Sequence, residues 1–113
     1  MSRKAGVRGM IEFLYFKGCP NSEETLSNLK EALKELNISE KVLNIIEVND
    51  IEMAKKLNFS GSPTILVNGK DIYTLEKPVG FNFTCRIYDF GGKKSGVIPK
   101  KFIKERLIEG EIL

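Results

Sequence analysis

The chain has 113 residues, 42% of them hydrophobic and 29% charged, with a net charge of +3. That length supports one hydrophobic core and not two, and the balance excludes wholesale disorder. No apolar run approaches the ~18 residues that span a bilayer, so no membrane association is expected.

Residues 1–9 show no periodicity and include Gly6 and Gly9, so they read as a loose tail ahead of a single domain over residues 10–113. The tail has basic residues but no adjacent apolar stretch. No secretory signal is therefore read, and the chain is expected in the cytoplasm, where cysteines serve chemistry or packing. Ile11 to Phe16 is almost fully apolar and rich in β-formers, which suits a central strand covered on both faces. Gly18, Cys19 and Pro20 follow it. Asn21 and Glu24 then have capping-box spacing, and Pro20 fits a first helical position. Leu26, Leu29, Leu33 and Leu36 give that helix one apolar face, and Asn37 stops it.

Val42 to Val48 reads as a second strand. Asn49 and Asp50 cap a short helix whose buried side is expected at Ile51, Met53, Ala54 and Leu57. Phe59 to Pro63 breaks that helix. Thr64–Val67 and Lys70–Tyr73 flank Asn68-Gly69, a strong hairpin signal. Residues 74–98 read as an insertion, punctuated by Pro78, Gly80, Gly91, Gly92 and Gly96, with an extra strand around Cys85–Tyr88. Gly91 to Gly96 lacks the spacing of a phosphate loop and reads as a flexible basic turn. Phe81, Phe83, Tyr88 and Phe90 are expected to pack the core of an extra hairpin. From Pro99, the residues Phe102, Ile103, Arg106 and Leu107 form a final amphipathic helix.

The chemistry resides in few residues. The sequence has no histidine and two cysteines. Without imidazole there is no Ser-His or Cys-His scheme, and two cysteines alone do not make a structural zinc site. No metal and no cofactor are expected. The basic residues near both ends read as solvated surface, with no nucleic-acid partner. Cys19, between a strand and a helix, faces the positive end of the helix dipole, which favours thiolate over thiol. The alternative is a small apolar residue closing the strand.

Gly18-Cys19-Pro20-Asn21-Ser22 and Gly61-Ser62-Pro63-Thr64, in this order and followed by Asn68-Gly69, resemble the thioredoxin-like family from about Ile11 to Tyr73. The resemblance implies an α/β fold, a βαβαββα sandwich around a central mixed sheet, with the insertion before the C-terminal helix. It implies thiol–disulfide exchange through Cys19, with protein or low-molecular-weight thiols and disulfides as partners. The family's usual second cysteine is replaced here by Ser22. By resemblance to monothiol members, Cys19 attacks a disulfide and awaits an external thiol. Ser22 has two readings: a donor to the Cys19 sulfur, or a first-turn capping residue. Pro63 matches the family's cis-proline, which leaves the backbone of Ser62 free to pair with an extended substrate, so Pro20, Ser62, Pro63 and Thr64 are candidate substrate-binding residues. The insertion then starts beside Cys19, and Cys85 has three readings: a distant resolving cysteine, a second thiolate for a soft metal, or a buried inert residue. Two alternatives stand beside an oxidoreductase. One is a non-enzymatic module binding a thiol, a peptide or a soft metal. The other follows a resemblance of nearly the whole chain to small thioredoxin-like proteins labelled alkylmercury lyase-like. That one implies carbon–mercury cleavage by Cys19 and Cys85, with Glu23 or Glu24 as acid.

Overall fold

A computed structural model of the chain describes residues 10–109; the tail expected over residues 1–9 lies outside them. The elements follow the predicted order. Strand β1 (Ile11–Tyr15) leads to helix α1 (Ser22–Glu35), strand β2 (Leu43–Glu47), helix α2 (Ile51–Leu57) and strands β3 (Thr64–Val67) and β4 (Lys70–Asp71). A hairpin of β5 (Tyr88–Phe90) and β6 (Lys93–Ser95) precedes helix α3 (Lys100–Glu109). The central sheet is mixed, in the order β2-β1-β3-β4, with β1 parallel to β2 and antiparallel to β3.

Alternation along β1 and β3 splits the core between the two sheet faces, as a central strand requires. Ile11, Phe13 and Ile65 join Leu29, Ala32 and Leu33 of α1 and Ile103 and Leu107 of α3 on one face. Leu14 and Leu66 join Val48, Ala54 and Phe59 on the other. The predicted leucine face of α1 is found, Leu29 and Leu33 fully buried and Leu26 and Leu36 packed at its margins.

Local chemistry explains most boundaries. Asn37, at φ 59°, ends α1, with Ile38 N–H donating to Leu33 O at 2.8 Å and Asn37 N–H to Lys34 O at 3.1 Å. This is a Schellman arrangement with asparagine in the left-handed position. Asp50 caps α2 by accepting from Met53 N–H at 2.8 Å. Asn68 (φ 54°) and Gly69 (φ 84°) make the tight turn between β3 and β4.

Several expectations require correction. Helix α1 begins at Ser22, and Asn21 makes no side-chain capping bond; a Cβ at Gly96 would fall on the Asn21 side chain, so that asparagine packs over the returning insertion instead. Ile51 faces outward, 51% exposed, because the short α2 buries only a narrow stripe centred on Ala54. Strand β4 is two residues long. The chain turns away where Leu75 N–H donates to Asp71 O and Asp71 N–H to Glu76 O. The extra strand begins at Tyr88 and not at Cys85, and Lys93–Ser95 pairs with it as an ordered strand across the Gly91-Gly92 turn. The insertion's aromatic residues divide. Tyr88 and Phe90 pack with Tyr73 and Phe102 on the α3 side, whereas Phe83 meets Phe16 and Phe59 on the opposite face. Phe81 is 40% exposed.

Candidate active site

Cys19 lies between β1 and α1, where Gly18 (φ 93°) turns the chain out of the strand. Its thiol is buried and donates to the Ser62 carbonyl oxygen at 3.6 Å. The Ser62–Pro63 bond is cis, and this loop is brought to Cys19 by the antiparallel pairing of β1 with β3. Ser22 does not supply a bond to sulfur. Its hydroxyl donates back to the Cys19 carbonyl oxygen at 2.9 Å, a bond that ties the helix start to the cysteine's backbone. Since α1 starts at Ser22, Cys19 stands three positions ahead of the helix, with Pro20 exposed beside it.

The second cysteine is here too. Cys85 Sγ lies 3.8 Å from Cys19 Sγ and donates to it. Both are free thiols, and Cys85 is exposed, so the reading of it as a buried residue does not hold. Partial desolvation, the hydrogen bond to Cys19 and electrostatic interaction with the Cys19 sulfur hold the Cys85 thiol above its ordinary value. The protonated form of Cys85 is thereby favoured, and that form can donate to the neighbouring sulfur.

Cys85 is brought there by backbone pairing. Ser62 N–H donates to Thr84 O and Arg86 N–H to Ser62 O, each at 2.8 Å, making a short parallel bridge between Ser62 and Cys85. The Ser62 backbone is therefore not free, as expected from sequence, but filled by residues 84–86 of the same chain. Gly61 permits the approach. It holds φ +114°, and a Cβ there would meet Thr84 O at 3.1 Å and Arg86 Cβ at 3.2 Å. Ser62 and Thr64 are both buried and internally bonded, Ser62 Oγ accepting from Phe16 N–H and Thr64 Oγ1 donating to Gly61 O.

Sequence reasoning missed what anchors this segment. Arg86, its side chain 14% exposed, pairs at 2.6 Å with Asp71, 3% exposed. It also donates to Thr64 Oγ1 at 3.2 Å and lies 4.6 Å over the Tyr88 ring. Asp71 Oδ1 accepts from Tyr73 N–H at 2.7 Å and Thr74 N–H at 3.3 Å, and Tyr88 donates its hydroxyl to Pro63 O. Burial raises the Tyr88 phenol, which stays a donor. The one signal available was a lone aspartate at a position expected in a strand. Its partner lies fifteen residues on in a segment without periodicity.

Glu23 and Glu24 are exposed on the first turn of α1. Among the described residues no group of three or more His, Cys, Asp or Glu side chains converges to hold a metal ion, and no helix is long and apolar enough to cross a membrane. No curated protein and no solved structure matches the chain. A family model described as a thioredoxin domain matches residues 11–74, more than half of the chain and the part that carries Cys19, the cis-proline loop and the β3–β4 hairpin. The chain belongs to the thioredoxin domain family.

Proposed function

We propose that the protein is a thiol–disulfide oxidoreductase whose redox pair is Cys19 and Cys85, in place of the single-cysteine scheme that Ser22 implies. The observation that supports this reading is the 3.8 Å between the two sulfurs, with Cys85 placed as a donor to Cys19. A disulfide needs about 2.05 Å, a closure that side-chain rotation and a small backbone shift can supply.

The chemistry balances over two exchanges. Cys19 thiolate attacks one sulfur of a partner disulfide. That bond breaks, the first partner thiolate leaves and takes a proton from solvent. Cys85 then loses its proton and attacks Cys19 Sγ; the mixed disulfide breaks and the second partner thiolate leaves. Two electrons pass from the pair to the partner, and an external dithiol restores the reduced chain. Because the Cys85 thiol is raised, the second exchange is expected to accelerate as pH rises toward and beyond the ordinary thiol range.

Mild oxidation of the reduced chain, followed by peptide mapping, tests the pairing. An intramolecular Cys19–Cys85 disulfide is expected, and Cys85→Ser should leave Cys19 as a persistent mixed disulfide with the oxidant. Equal behaviour of parent and Cys85→Ser chains would return the protein to single-cysteine chemistry.

A further inference from the structure

A backbone edge beside a reactive thiol is where an extended polypeptide gains affinity, through main-chain hydrogen bonds. Here both backbone groups of Ser62 are already bonded to Thr84 and Arg86. The segment is also fastened by the buried Arg86–Asp71 pair and by the Tyr88 hydroxyl on Pro63 O. Solvent still meets the pair at Cys85, which is exposed, and at Pro20 beside Cys19. Phe16, Lys17 and Phe83, two to three positions ahead of the cysteines in the chain, line a recess of about 410 Å³ with Glu47, Val48 and Asn49, and neither cysteine lines it. That volume suits a small molecule.

Resting on the reading of Cys19 and Cys85 as a redox pair, the geometry points to a low-molecular-weight disulfide as the exchange partner, and not to an extended polypeptide laid along Ser62. The segment 84–86 occupies that edge through a single bridge, and Cys85 is the thiol it carries. The step itself is the two-exchange reaction above, with two small thiols as products and a dithiol as the source of electrons for the return.

The experiment compares two oxidants of the fully reduced chain. One is cystine. The other is a linear peptide whose single cysteine is disulfide-bonded to free cysteine and flanked on both sides by β-forming residues. Formation of the Cys19–Cys85 disulfide is followed by rapid acid quench and mass analysis. Cystine should react at least about tenfold faster, because the peptide gains its flanking contacts only by displacing two backbone hydrogen bonds. Loosening the segment with Arg86→Ala, or with the milder Tyr88→Phe where the first variant folds poorly, affects Cys85 under either oxidant, so the expected change is in the ratio: the peptide rate relative to cystine should rise toward one. A peptide that oxidises the parent chain faster than cystine overturns the substrate class and leaves the redox pair standing. Failure of both oxidants to form the disulfide overturns the redox pair, and the substrate class with it.

Discussion

Arg86 shows how much one side chain does for this site. Its guanidinium neutralises a carboxylate that is 3% exposed, stacks over Tyr88 and holds the backbone that carries Cys85. Removing one member of a buried pair leaves the other charged and desolvated. Arg86→Ala is therefore expected to lower stability by about 3 kcal/mol in denaturant unfolding. The double change Arg86→Met with Asp71→Asn should recover much of that loss. If Arg86→Ala unfolds at the parent midpoint, the pair is not what holds the segment. Ser22 is the opposite case. Its place in the motif suggested a bond to sulfur, but the geometry of a first helical turn directs its hydroxyl to the Cys19 carbonyl. The motif located the residue correctly and left its rotamer undetermined.

At the scale of elements, the sequence was most legible where a single local rule decided the outcome. Asp50 as a cap, Asn37 as a stop and Asn68-Gly69 as a turn each rest on chemistry within a few residues. The insertion was less legible because its conformation is set from outside. Cys85 makes one bridge to Ser62 and no longer strand, since its backbone partners are two groups of a loop and not a free edge. The hairpin that follows takes its register from the Gly91-Gly92 turn and its position from Tyr73 and Phe102. Gly61 is the matching demand on the other side of the bridge. Gly61→Ala is expected to cost roughly 1–3 kcal/mol through its positive φ and to push Thr84 and Arg86 off the loop. Faster amide exchange at Ser62 and Arg86 would register that displacement. Unchanged protection at both amides would show that the bridge tolerates a methyl group.

For the whole molecule, a core on both sides of the sheet follows from the apolar run of the central strand, whereas the mixed sheet was implied by the family resemblance. The ion pairs that supplement the apolar contact of α1 with α3 were not readable, because they join exposed charges far apart in the chain. Lys100 and Lys104 both donate to Glu35, at 2.6 and 2.7 Å, and these bonds lower its pKa from 4.5 to about 2. The folded chain thus binds that proton more weakly than the unfolded chain. Its contribution to stability is complete above about pH 4.5 and is lost as pH falls toward 2. Glu35→Gln should remove this part of the acid dependence in thermal melts at successive pH values. The change will be modest, since water screens exposed pairs. The separation of Cys19 and Cys85 by 66 positions has a further consequence. Joining the sulfurs turns more than half of the polypeptide into a closed ring, which restricts the unfolded chain far more than the folded one. On the loop-entropy model such a ring favours folding by about 4 kcal/mol. On the proposed redox pairing, electrons entering the pair would open the ring as well as the bond, which would link the chain's redox state to its resistance to unfolding.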